Sequence, residues 1–167
     1  MEIERKYLVK NIPDDLDKYE KRVIEQGYLC SSPTVRIRMA KVYKAKSPEP
    51  LTKYIFTFKS PVKLNTTARV NKEIEEEISE EGYMHLRNKC DNNLVRKTRY
   101  LIPLDEIHTA ELDIFEGDLE GLVIVEVEFR DEKASEEFKA PDWFGEDVSR
   151  DRRYTNTWLS ANGKPEN

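Results

Sequence analysis

The sequence predicts an α+β fold organised around an antiparallel sheet, either open or closed into a barrel. Apolar residues alternate at period two through seven segments, and helical spacing is confined to three or four stretches. The links between segments are short and rich in Pro, Asn, Asp and Gly, which favours antiparallel neighbours because a parallel crossover needs about a dozen residues. A chain of 167 residues is expected to form one domain over 1–167, with 162–167 as a frayed tail.

Taken in order, residues 2–9 (EIERKYLV) read as a strand. Residues 14–26 read as a helix, with Leu16, Tyr19, Val23 and Ile24 on one face, Pro13 near its start and Gly27 beyond its end. A short strand at 28–31 leads to strands at 34–40 (TVRIRMA), 53–59 (KYIFTFK) and 69–78 (RVNKEIEEEI), separated by turn signals at Ser47-Pro48-Glu49-Pro50 and Ser60-Pro61. Ser79 is placed to cap a helix over 80–90, with Tyr83, Leu86 and Cys90 as its apolar stripe. After an Asp91-Asn92-Asn93 turn come strands at 94–101, 109–116 and 121–130, broken at Pro103-Leu104-Asp105 and Gly117-Asp118. A short helix is expected over 132–138, a break at Pro141–Gly145, and a last helix near 150–161 capped by Ser149.

Charged residues make up 37% of the chain, against about 25% on average, and hydrophobic residues only 38%. The net charge is −5, from 28 Lys and Arg against 33 Asp and Glu, so no basic surface for nucleic acid is expected. No apolar run is long enough to span a membrane and no signal-peptide pattern is seen, so a cytoplasmic protein is expected. Cys30 and Cys90 stand far apart with no CxxC companion and are expected to be reduced thiols.

Alternate residues on a strand share a face. That rule puts Glu2, Glu4 and Lys6 together, then Arg36 with Arg38, Thr57 with Lys59, Glu73 with Glu75 and Glu77, Lys97 with Arg99, Glu111 with Asp113, and Glu126 with Glu128. A sheet with one wet face explains a single such doublet. A series of same-sign, fully ionic doublets is harder to explain that way, since like charges side by side are destabilising. Segregated acids and bases suit divalent metal on carboxylates and a polyanion on Arg and Lys. If the charged faces line a barrel, Glu2, Glu4, Glu75, Glu77, Glu111, Asp113, Glu126 and Glu128 are expected inside it against Lys6, Arg36, Arg38, Lys59, Lys97 and Arg99, the lining is wet, and the apolar core lies between the outer face and the helices. Phosphate must be held by side chains, because six glycines form no GxxxxGK or GxGxxG cradle. His85 and His108 sit in no metal-ligand spacing, and no nucleophile motif is present.

Glu2-Ile3-Glu4-Arg5-Lys6 resembles the ExExK signature of the CYTH superfamily, the triphosphate tunnel metalloenzymes, and the later doublets match that family in order. The resemblance runs through TVRIRM, TFK, EIEEEI, VRKTRY, ELDIFEGDLEGLVIVEVEF, PDWFGEDVS and RRYTN. It implies an eight-stranded antiparallel β-barrel, a triphosphate tunnel with helices packed outside, working with Mg²⁺ or Mn²⁺. By position it implies metal ligands at Glu2, Glu4, Glu126 and Glu128, helped by Glu75, Glu77 and Asp113. It implies phosphate clamps at Arg36, Arg38, Lys59, Lys97 and Arg99, with Lys6 and Lys97 as catalytic cations. The segment at Arg152, Arg153 and Tyr154 resembles a C-terminal helix that closes one tunnel mouth, which adds Arg152 as a substrate contact. The short form, with ExExK at the very start, resembles bacterial inorganic triphosphatases. The implied activity is hydrolysis of inorganic triphosphate to pyrophosphate and phosphate. Adenylate cyclase, nucleoside or thiamine triphosphatase and a non-catalytic polyphosphate-binding module stand as alternatives. The expected partner is a small-molecule triphosphate, without nucleic acid or membrane, and a homodimer is left open.

Overall fold

A computed structural model describes residues 1–45, 47–64 and 68–166, with the backbone alone at 63 and 64. The period-two segments form strands β1 (Glu2–Val9), β2 (Glu20–Ser31), β3 (Thr34–Tyr43), β4 (Leu51–Leu64), β5 (Arg69–Glu77), β6 (Asp91–Pro103), β7 (Thr109–Phe115) and β8 (Val123–Glu128). A ninth, β9 (Phe144–Asp147), lies where the sequence suggested a break. The helices are α1 (Glu80–Arg87), α2 (Glu132–Glu137) and α3 (Asn156–Asn162), capped by Ser79, Asp131 and Thr155 through side-chain acceptors. Thr155, not Ser149, caps the last helix, and a 3₁₀ turn at Arg152–Tyr154 precedes it. The chain continues past α3 through 163–166 without regular structure, and Asn167 lies outside the described residues.

The expected helix over 14–26 is a single 3₁₀ turn, Leu16–Lys18, followed by β2, which absorbs the short strand expected at 28–31. Gly27 therefore does not end a helix. It sits within β2 because a Cβ there would come within 2.7 Å of Cys90 Sγ and of Leu94 Cδ2. The turn signals at Ser60-Pro61 and Asp91-Asn92-Asn93 likewise fall inside strands, the first beside a register shift in the β4–β5 ladder.

Every pairing is antiparallel, and the strand order β5-β4-β3-β2-β6-β7-β8-β1 closes through an additional β1–β5 contact. That closure spans three pairs, Glu2↔Asn71, Ile3↔Val70 and Glu4↔Arg69; further along β1, β9 takes over the same edge at Tyr7 and Val9. Gly145 permits this, since a Cβ there would lie 3.1 Å from the Leu8 carbonyl oxygen. The result is a closed eight-stranded antiparallel barrel with helices outside it.

The apolar core lies in two places. Ile3, Tyr7, Leu112, Val125 and Val127, on the outer face, pack with Phe129 just past β8 and with Phe138 and Phe144 from the α2–β9 segment. The second cluster was not expected. Val95, Phe115 and Ile124 share the inward face with Lys97, Asp113 and Glu126, and they pack with Tyr154 and Leu159 of the C-terminal segment. One end of the barrel is therefore sealed by an apolar plug, and the charged lining occupies the remainder.

Candidate functional site

Inside the barrel is a cavity of about 630 Å³ whose lining contains eight Lys or Arg side chains and seven Glu. β1 supplies Glu2, Glu4 and Lys6; β3 supplies Arg36 and Arg38; β4 supplies Thr57 and Lys59; β8 supplies Glu126 and Glu128. Arg99 and Glu111 enter from β6 and β7, Glu73 and Glu75 from β5, and Arg152 from the C-terminal turn. Period-two alternation in a closed barrel makes this lining inevitable once one face of each strand is charged.

Ion pairs order part of it. Lys59 Nζ lies 2.7 Å from Glu2 Oε1 and 3.6 Å from Glu73 Oε2. Lys6 Nζ lies 3.4 Å from Glu126 Oε1 and donates to the Tyr154 carbonyl at 2.9 Å. Arg36 donates to Thr57 Oγ1 at 2.9 Å and lies 3.6 Å from Glu75, while its Nε is buried without a partner. Arg38 donates to the Gln26 amide oxygen at 2.8 Å and has no acidic partner among the described residues.

The carboxylates divide in the same way. Glu4 and Glu128 face each other across the β1–β8 ladder, and neither has a cation within ion-pair distance among the described residues. Burial, reinforced by Glu126 and Glu2, pushes the Glu4 carboxyl up to about 8. Burial with Glu2, Glu111 and Glu73 raises Glu128 to about 7. Burial also opposes charge on Glu126, but Lys6, Arg99 and Lys97 outweigh it and hold that carboxyl well below its ordinary range. On the opposite side, burial and then Arg36 and Arg99 lower Arg38 to about 9. The barrel thus sets carboxyls whose ionisation is disfavoured on one wall against a guanidinium whose charge is disfavoured on another.

Two residues expected at the site lie behind it. Lys97 has no exposed surface, and its Nζ is 2.7 Å from Asp113 Oδ2 and 3.2 Å from Asn156 Oδ1. Asp113 accepts Arg99 Nε at 2.7 Å on one oxygen and Arg99 Nη2 at 2.9 Å on the other. With both oxygens engaged and 1% exposure, Asp113 fixes Arg99 and is not disposed to bind metal; Lys97 is its second counter-ion. Glu77 is exposed near the end of β5 and outside the lining, because the strand runs past the cavity there. Arg22, Tyr28, Arg69, Asn71, Asn156 and Trp158 line the cavity without having been nominated. Glu73, Arg69 and Asn71 share the parity of Glu75, so their placement was legible; Asn156 and Trp158 carry no sequence signal. Among the described residues, no three His, Cys, Asp or Glu side chains are grouped closely enough to hold a metal ion as they stand, and no helix is long and apolar enough to cross a membrane.

No family model matches the sequence. An inorganic triphosphatase of Nitrosomonas europaea is 36% identical over 159 residues, which cover 95% of this chain and 96% of that protein. The chain belongs to the inorganic triphosphatase family. A second member, from Acetivibrio thermocellus, is 34% identical over 163 residues, 96% of this chain and 94% of its own. A crystal structure of an inorganic triphosphatase superposes with a TM-score of 0.65 at 33% identity, covering 99% of this chain and 97% of that one. A Pyrococcus horikoshii protein at 19% identity and TM-score 0.55 shares the fold over 82% of this chain. The inorganic triphosphatases thus match 95–99% of the chain.

Proposed function

We propose that this chain is a CYTH-type triphosphate tunnel enzyme that hydrolyses inorganic triphosphate to pyrophosphate and phosphate. The observation that carries this reading is the division of the cavity into a cationic wall, where Arg38 has no acidic partner and Arg36 holds a buried Nε without a hydrogen-bond partner, and a carboxylate wall, where Glu4 and Glu128 have no cation within ion-pair distance, in each case among the described residues. A phosphate chain suits the first wall and a hard divalent cation the second. The lining is polar, with Tyr28 and Trp158 as its aromatic rings, which supports an inorganic chain over a nucleotide. Function in the reducing cytoplasm is consistent with the free thiols of Cys30 and Cys90.

In this mechanism Arg36, Arg38, Lys59 and Arg99 hold the phosphate oxygens and align the terminal phosphorus for in-line attack by water. The bond to the bridging oxygen breaks, and pyrophosphate leaves with the charge that these cations neutralise. Lys6, fixed between Glu126 and the Tyr154 carbonyl, adds a donor beside the carboxylates. Glu2, Glu4, Glu126 and Glu128 offer the hard oxygen donors that Mg²⁺ or Mn²⁺ requires; when bound, the ion withdraws charge from the phosphate oxygens. Lys97 acts through Asp113 on Arg99, as a positioning residue.

The test is phosphate release from inorganic triphosphate, ATP and thiamine triphosphate, each with Mg²⁺ and with Mn²⁺. Preferential hydrolysis of inorganic triphosphate is expected, with no turnover in EDTA. Cyclic AMP and pyrophosphate from ATP would assign a cyclase instead, and binding without turnover would leave a polyphosphate-binding module.

A further inference from the structure

We infer that Asn156 is a substrate-binding residue whose side-chain amide donates to a phosphate oxygen, with its orientation set from behind by Lys97. This rests on the triphosphatase reading and adds to it a neutral donor from the segment that seals the barrel.

Asn156 opens α3 and lines the cavity, half-buried. Its Oδ1 faces the fully buried Lys97 Nζ at 3.2 Å. An ammonium has three donors and no acceptor, so the Asn156 atom turned toward it must be the carbonyl oxygen. Flipping the amide would set N–H against N–H. The two donors on Nδ2 are therefore directed away from Lys97. Among the described residues Nδ2 makes no hydrogen bond, and it is not among the polar atoms sealed away without a partner. It is thus an oriented, open donor on a wall that also carries Arg152.

The residue type supports the same conclusion. A buried ammonium with one carboxylate partner is better satisfied by a second carboxylate than by an amide. If position 156 served only Lys97, Asp would serve it better. A neutral amide is favoured where the other edge of the side chain must meet an anion, because a carboxylate there would oppose phosphate.

The test compares Asn156→Ala, Asn156→Asp and Asn162→Asp in steady-state kinetics on inorganic triphosphate, with thermal melts of each. Asn162 lines the same cavity at the far end of α3, where its amide donates to the Trp158 carbonyl, so its Asp variant controls for added charge alone. Asn156→Ala is expected to raise KM by about ten- to hundredfold, the loss of one hydrogen bond to a charged group, with a smaller change in kcat. Asn156→Asp is expected to raise KM further while melting at or above Asn156→Ala, since it restores an acceptor to Lys97. Asn162→Asp is expected to raise KM less than Asn156→Asp. A folded Asn156→Ala with unchanged KM overturns the inference. So does an Asn156→Asp enzyme with near-wild-type KM, or an Asn162→Asp effect equal to that of Asn156→Asp. Calorimetric titration with inorganic triphosphate separates the two levels. A wild type that binds without turnover counts against the triphosphatase reading; equal affinity of wild type and Asn156→Ala counts against Asn156; a wild type that neither binds nor turns over defeats both.

Discussion

Replacing Asp113 by Asn should destabilise the protein more than any substitution in the cavity wall itself. The carboxylate is 1% exposed and neutralises two buried cations, Arg99 through Nε and Nη2 and Lys97 through Nζ, at 2.7–2.9 Å. Asn preserves the shape but removes the charge and turns an amide N–H toward a guanidinium that can only donate. Breaking a buried pair from one side costs about 3–5 kcal/mol, because the surviving charge is left uncompensated. At about 2–4 °C per kcal/mol for a chain of this size, the melting temperature should fall by roughly 6–20 °C. Thermal unfolding followed by circular dichroism at neutral pH, with urea titration as a second probe, reads the loss directly. Adding Lys97→Met should recover part of it, since the double variant buries one fewer unpaired cation. An Asp113→Asn protein that melts within about 2 °C of wild type would show that solvent or neighbouring dipoles compensate Lys97 and Arg99, and the reasoning would fail.

Three further predictions concern the lining and its surroundings. Arg38→Ala should raise KM for triphosphate by about ten- to hundredfold, yet melt at or above wild type without substrate, because burial and its cationic neighbours already disfavour its charge. Glu4→Gln should abolish turnover. In EDTA, the Glu4 carboxyl, raised to about 8 from 4.5, contributes stability that is present below pH 4.5 and lost as pH rises toward 8. The melting advantage of Glu4→Gln over wild type should therefore grow across that interval and then level, and a pH-independent difference would contradict the assignment. Gly27→Ala should destabilise by about 1–3 kcal/mol through overpacking against Cys90 and Leu94, measured by urea unfolding, and Cys90→Ala should partly relieve it.

The barrel was legible because seven of its strands keep one apolar and one charged face, which period-two counting detects without knowledge of the partners. β2 escaped that rule. Its inward side carries Arg22, Ile24, Gln26 and Tyr28, of which Arg22 and Tyr28 line the cavity, Ile24 is buried, and Gln26 serves Arg38. Its outward side carries Glu25, which α1 engages through Tyr83 and Arg87. Both faces are mixed, so Leu16, Tyr19, Val23 and Ile24 fell by chance at helical spacing. β9 was hidden because its Gly145, needed for close approach to β1, reads as a loop residue. The charged doublets located the cavity wall, but parity alone does not say how deep a residue sits. Lys97 and Arg99 share a face, yet only Arg99 reaches the cavity, because the barrel interior turns apolar at the level of Lys97, with Phe115 directly opposite it and Val95 the next inward residue along β6.

The first strand of the chain pairs with none of its sequence neighbours: its partners lie at 69–71, 124–128 and 144–147. Glu2 and Glu4 acquire a wall to stand in only once those distant segments have packed against β1. Such distant pairings fold slowly and cannot nucleate locally. Without β8, Arg36, Arg38 and Arg99 on β3 and β6 face a cavity that lacks Glu126 and Glu128. Bringing the acidic and basic walls of the cavity together thus depends on closure of the barrel.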